Sequence, residues 1–118
     1  LLVYEKHFRR TFIHVRDMAR CVQHTLQNWE TMQGNVYNVG DDSMNFTKEE
    51  IVNLLQSKID FACHFAEVGS DADKRDYEVS YKKIRATGFR TSISMEQGVH
   101  EMVRGLSLLE FRKTYSNV

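Results

Sequence analysis

The chain contains no proline, so no turn is locked by a pyrrolidine ring and no helix interior is broken by one. Cysteine is scarce: Cys21 and Cys63 are the only two, and neither belongs to a Cys-x-x-Cys pair. They read as reduced, buried thiols of a cytoplasmic protein, and together with His24 and His64 they match none of the familiar zinc-ligand spacings. No apolar run approaches the roughly 20 residues that span a bilayer. Leu1-Leu2-Val3 passes at once into Tyr4-Glu5-Lys6-His7, which is not the pattern of a secretory leader. Charge of one sign is missing too, because 16 Lys and Arg cancel 16 Asp and Glu. This removes any global attraction to nucleic acid or to an anionic membrane, leaving room only for a local basic patch.

What is present fits one globular domain. With 118 residues, 42% hydrophobic and 27% charged, the chain is long enough for a core but not for two. It opens on apolar residues without an initiator Met, the start expected of a piece of something longer. A single lobe over residues 1–113 and a polar tail over 114–118 that frays are the expected organisation.

The stretch from Arg9 to Arg20 organises the rest. Thr11 to Val15 is a β-like run of β-branched and aromatic side chains, and Asp17 is placed to cap a helix running to about Asn28. Met18, Cys21, Val22, Thr25, Leu26 and Trp29 recur along one side of that helix at helical spacing. Arg10 stands at the strand entrance, where a guanidinium can give two parallel hydrogen bonds to a phosphate or carboxylate; an ordinary solvated basic face is the alternative. Leu1 to Tyr4 is expected as an edge strand, Glu30 to Asn35 as a polar loop, and Val36 to Val39 as a buried strand stopped by Gly40. Thr47 and Glu50 form a capping box for a helix from Lys48 to about Ser57. Phe61 to Val68 suits another strand, Arg75 to Ser80 an extended segment, and Tyr81 to Thr87 a short helix ended by Gly88. A second capping box, Ser94 to Gln97, opens a last helix whose Val99, Met102, Val103, Leu106 and Leu109 form a stripe. Strands alternate with three main helices, which predicts an α/β fold with a small mixed sheet of short strands.

The motifs also occur in a familiar order: Arg-Thr-Phe-Ile-His-Val-x-Asp-x-Ala (Arg10 to Ala19), Val-Tyr-Asn-Val-Gly (Val36 to Gly40), Thr-x-x-Glu opening a helix, Asp-Lys-Arg-Asp-Tyr-x-Val-Ser (Asp73 to Ser80), Thr-Gly-Phe (Thr87 to Phe89) and Ser-x-x-x-Gly-Val (Ser94 to Val99). This order resembles the C-terminal, substrate-binding part of the extended short-chain dehydrogenase/reductases, the NAD-dependent epimerases and dehydratases that act on nucleotide-diphosphate sugars. The resemblance implies a parent enzyme that uses NAD or NADP on a Rossmann lobe bearing a Gly-x-x-Gly-x-x-Gly turn and a Tyr-x-x-x-Lys pair. Neither motif is in this sequence: the residues four beyond Tyr4, Tyr37, Tyr77 and Tyr81 are Phe8, Asp41, Tyr81 and Arg85. The chain alone is therefore expected to carry no catalytic residue, to bind no cofactor and to be inactive.

By the same resemblance, Arg10 and Arg75 contact the nucleotide diphosphate of the substrate, and Asn45 lies in a loop that makes a polar contact to the nucleotide. Arg75 could instead pair with Asp73 or Asp76, and Asn45 could serve only its turn. Asp17 and Asn38 recur in the family with capping and turn-forming duties, and His14 reads as a half-buried strand histidine bonded to a carbonyl. Many relatives have Arg-Pro-Gly-Asp where this chain has Ser70-Asp71-Ala72-Asp73, a change that weakens a phosphate clamp because carboxylates repel the anion. Two roles remain open: the substrate-binding portion of a nucleotide-sugar epimerase or dehydratase, or a non-catalytic interaction or oligomerisation module derived from that fold. In either, the apolar sides of the first and last helices and the Val36 to Val39 strand are expected to face an absent Rossmann lobe, and the isolated chain to self-associate.

Overall fold

The computed structural model describes residues 1–109, so the expected tail at 114–118 and the end of the expected lobe lie outside the described residues. Two pairs of three-residue strands and five helices make up the fold. Strand β1 (Leu2–Tyr4) lies parallel to β4 (His64–Ala66), with Leu2 opposite His64 and Tyr4 opposite Ala66. Strand β2 (Arg9–Thr11) runs antiparallel to β3 (Asn45–Thr47), with Arg10 opposite Phe46 and Thr11 opposite Asn45. Parallel and antiparallel pairing thus both occur, divided between two sheets. The three main helices are α1 (Val15–Gln27), α3 (Lys48–Gln56) and α5 (Met95–Leu106), with α2 (Trp29–Met32) and α4 (Lys82–Ala86) as short connectors.

Local chemistry sets most element ends. The Thr47 hydroxyl accepts from the Glu50 backbone N–H at 3.1 Å while the Glu50 carboxylate accepts from the Thr47 N–H at 2.7 Å, the reciprocal cap that starts α3. Lys48 and Glu49 donate their backbone N–H groups to the carbonyls of Phe8 and Lys6, which ties this helix start to the turn before β2. Ser94 caps α5 by accepting from the Gln97 N–H at 3.2 Å. Gly88 closes α4 with φ near +91°, a conformation that strains a residue with a Cβ.

The start of α1 departs from expectation. β2 ends at Thr11, and the Phe12 N–H makes the final cross-strand bond to the Met44 carbonyl at 3.0 Å. The helix then begins at Val15, capped by the ring Nδ1 of His14, which accepts from the Arg16 N–H at 3.2 Å. Thr11 to Val15 is therefore not one strand, His14 is a cap and not a strand residue, and Asp17 sits inside the first helical turn. Freed from capping, the Asp17 carboxylate is fully buried. It accepts from the backbone N–H groups of Ser92 and Ile93 at 3.1 and 3.0 Å, from the Ser92 hydroxyl and from Arg20. Burial alone would push its pKa up, but these donors outweigh it and the net shift is downward.

Two further segments differ from the sequence reading. Glu30 to Asn35 is not all loop, because α2 carries Met32 into the core cluster of Cys21, Met32, Tyr81, Ile84 and Phe89. Val36 to Val39 forms no strand; it alternates as one would, with Tyr37 and Val39 packed on the core and Val36 86% exposed, but among the described residues no neighbouring backbone pairs with it. Its turn at Gly40 is a close approach, since a Cβ there would stand 2.6 Å from the Tyr81 ring.

The core is small for the chain. Val15, Met18, Val22 and Leu26 line one exposed face of α1 and Trp29 is exposed at the start of α2, while Met102, Leu106, Leu108 and Leu109 are exposed on and beyond α5. The radius of gyration is 17.2 Å, against about 13.5 Å for a self-contained domain of this length. No described helix is long and apolar enough to cross a membrane.

Candidate functional site

The extended stretch from Arg75 to Ser80 positions the candidate site, and side chains hold it in place of a backbone ladder. The Asn45 amide pairs with Val79 as a strand neighbour would: its Nδ2 donates to the Val79 carbonyl at 3.1 Å and its Oδ1 accepts from the Val79 N–H at 3.2 Å. The Asp76 carboxylate accepts from the Arg9 backbone N–H at 2.8 Å, and Asp42 accepts from the Tyr81 N–H at 3.3 Å. Asn38 reaches the Ser80 carbonyl at 3.5 Å. The stretch consequently runs beside β2, which brings Arg75 to Arg10 from 65 residues away.

Arg10 and Arg75 meet at one carboxylate. Arg75 forms a two-pronged ion pair with Asp73, Nε to Oδ1 at 2.7 Å and Nη2 to Oδ2 at 2.6 Å. Arg10 Nη2 lies 3.4 Å from Asp73 Oδ2 and 3.3 Å from the Asp73 carbonyl, and its Nη1 donates to the carbonyls of Arg9 and Arg75. Arg10 is mostly buried, with 15% of its side chain exposed, whereas that of Arg75 is 70% exposed. The Tyr77 ring centre lies 5.8 Å from the Arg10 guanidinium carbon, close enough for a cation–π contact. The two guanidiniums hold the Asp73 carboxyl far below the usual carboxylate range, with Arg75 the larger influence through its hydrogen bonds. Of the two ion pairs that the sequence left open for Arg75, the pair with Asp73 forms, while Asp76 serves the backbone of Arg9.

Among the three expected contact residues, the fold therefore gathers Arg10 and Arg75 and gives Asn45 a fastening role on Val79. The residue that sequence reasoning did not place at the centre is Asp73. The signal was there in the Asp-x-Arg spacing, but its meaning needs Arg10, which only the fold supplies.

Two further ion pairs flank this cluster. Lys48 pairs with Asp71 at 2.7 Å and Arg9 with Glu78 at 3.5 Å, and Asp71 also accepts from the Asp73 backbone N–H at 2.9 Å. Apolar hollows lie elsewhere. One of about 410 Å³ runs along α1 between Met18, Val22, Leu26, Trp29 and Tyr37, and another of about 320 Å³ opens between Phe12, His14, Met44 and α5. His14 Nε2 faces Glu101 at 3.4 Å beside this second hollow, and Arg16 pairs with the same carboxylate. Cys21 and Cys63 are free thiols, with burial pushing Cys21 up. Among the described residues no three His, Cys, Asp or Glu side chains gather as a metal site.

Among the described residues the glycines are spread over separate loops and α5, and no glycine-rich turn joins a strand to a helix.

No family model matches the chain. Its fold is similar to that of solved structures whose identity to it is low. GDP-D-glycero-L-gluco-heptose synthase from Campylobacter jejuni, in the presence of NADPH, matches with a TM-score of 0.73 and 18% identity over 90% of this chain and 32% of its own. GDP-mannoheptose C4 reductase from Campylobacter jejuni, with NADP bound, matches with a TM-score of 0.72 and 19% identity over 90% of this chain and 34% of its own. dTDP-glucose 4,6-dehydratase from Bacillus anthracis, in complex with NAD, matches with a TM-score of 0.67 and 23% identity over 91% of this chain and 34% of its own. The chain spans about a third of the length of these sugar-nucleotide enzymes, and what it shares with them is the α/β fold of that portion.

Proposed function

We propose that the chain is the portion of an NAD(P)-dependent nucleotide-sugar epimerase or dehydratase that grips the substrate's diphosphate, with Arg10 and Arg75 as the gripping residues. The observation that carries this reading is the convergence of two guanidiniums, one buried and preorganised and one exposed, on a single anionic group. A buried Arg10 held by backbone carbonyls needs little reordering to meet a second anion, and Arg75 can close over it. Asn45 acts on this grip through the backbone it fastens, and Tyr77 offers an aromatic edge beside it. Held at the diphosphate, the substrate would present its sugar to a dinucleotide-binding lobe that carries the catalytic Tyr-x-x-x-Lys pair and the NAD or NADP. The exposed face of α1 from Val15 to Leu26, Trp29 of α2 and the end of α5 are the surfaces we assign to that lobe.

The competing reading, a non-catalytic interaction module, draws on the same apolar face and leaves the two arginines only their contacts with Asp73 and the nearby carbonyls. The experiment joins the chain to a dinucleotide-binding lobe with an intact Gly-rich turn and Tyr-x-x-x-Lys pair and measures nucleotide-sugar turnover. Arg75→Ala, at an exposed position, is expected to raise KM at least tenfold, about what one charge-assisted contact contributes. Arg10→Ala should do so more strongly. Turnover with an unchanged KM in both variants would overturn the grip, and stoichiometric binding to a partner without any turnover would favour the module.

A further inference from the structure

Asp73 completes the cluster in an unexpected way, because a carboxylate already occupies the place where two guanidiniums would hold an anion. Both of its oxygens are engaged: Oδ1 accepts from the Arg75 backbone N–H at 3.2 Å and from Arg75 Nε, and Oδ2 accepts from Arg75 Nη2 and faces Arg10 Nη2. Resting on the grip proposed above, we propose that Asp73 is a resident counter-anion that an incoming pyrophosphate displaces, and that this competition selects pyrophosphate over a single phosphate.

The physical case has three parts. First, release cannot come from protonation, since Asp73 stays ionised across the whole range in which the protein would work, so only another anion can take its place. Second, the displacement is inexpensive: Asp73 and Arg75 lie at the surface, where water and salt already compete for them, and ion pairs of that kind contribute little to stability. Third, the two guanidiniums approach Asp73 from different chain segments, β2 and the stretch after Asp73, so a ligand with two linked phosphoryl groups can engage both. A single phosphate brings its charge and oxygens on one centre, so it depends on the donors that Asp73 already holds, whereas two linked phosphoryl groups can each take one guanidinium. Of the neighbouring cations, Lys74 forms no ion pair among the described residues, while the others are engaged. Arg9 is paired with Glu78, Lys48 with Asp71, and the Asp76 carboxylate takes the Arg9 N–H.

The test is calorimetric titration of the 118-residue chain at low salt with inorganic pyrophosphate and with orthophosphate. Asp73→Asn keeps an oxygen to accept the Arg75 N–H, so the local turn is retained, and Asp73→Ser with a circular dichroism spectrum guards against misfolding. Wild type is expected to prefer pyrophosphate. Asp73→Asn should bind pyrophosphate about tenfold tighter and gain more for orthophosphate, so that the preference narrows. If both Asp73 variants leave affinity and preference unchanged or weaken them, while Arg10→Ala abolishes binding, the counter-anion idea is overturned and the grip stands. If wild type and Arg10→Ala bind pyrophosphate equally, or neither binds, the grip itself fails and this inference goes with it.

Discussion

Asp17 and Asp73 are both aspartates held by arginine, and both lose their proton more readily than a free carboxylate, yet they do opposite work. Asp17 is sealed inside the fold and accepts from two backbone N–H groups in the Ser92–Ile93 segment ahead of α5. Asp73 lies at the surface, and its strongest donors are the nitrogens of a long flexible side chain that can turn to another anion. The lesson is that an ion pair is structural or exchangeable according to what supplies the hydrogen bonds and whether water reaches them, and not according to its length.

Substitutions at the two sites should separate them sharply. Asp17→Ala is expected to have the largest effect, lowering unfolding free energy by about 3 kcal/mol, because it leaves buried N–H groups without an acceptor; urea denaturation would register it. Next comes acid. The folded pKa of Asp17 is depressed, so its contribution is present above the unfolded value near 3.9 and is lost as pH falls through the lower folded value. Urea midpoints should therefore decline below about pH 4 in wild type and less steeply in Asp17→Asn, where the other depressed carboxylates such as Asp41 and Glu50 still contribute. As an intermediate reference, Thr47→Ala should cost about 1 kcal/mol by removing one half of the capping box of α3. The smallest effect belongs to Asp73→Asn, which should leave the urea midpoint unmoved while altering anion binding. A midpoint shift comparable to that of Thr47→Ala would erase the distinction drawn between the two carboxylates.

How far the sequence could be read follows the same division between local and distant partners. The cap at Thr47, the break at Gly88 and the spans of α3 and α5 were legible because every group involved lies within a few residues. The duty of Asp17 was not, because its acceptor role is defined by Ser92 and Ile93, 75 and 76 positions later. Val36 to Val39 carries a strand's pattern, but pairing needs a neighbour, and none of the described backbone provides one. Met32 was hidden in a polar stretch, where a single apolar residue gives no periodicity. At the candidate site the pairing of Arg75 with Asp73 was one of two the sequence left open, whereas the approach of Arg10 to the same carboxylate, from 63 residues away, was not legible.

Fastening the stretch after Asp73 by the Asn45 amide and the Asp76 carboxylate, instead of by a continuous ladder, has a consequence for how such a loop can change. Two stitches fix its path, so the side chains between them are free to vary without unravelling a sheet. Tyr77 and Glu78, between the attachments at Asp76 and Val79, can then be exchanged while the backbone course, and with it the spacing of the two guanidiniums, is inherited unchanged.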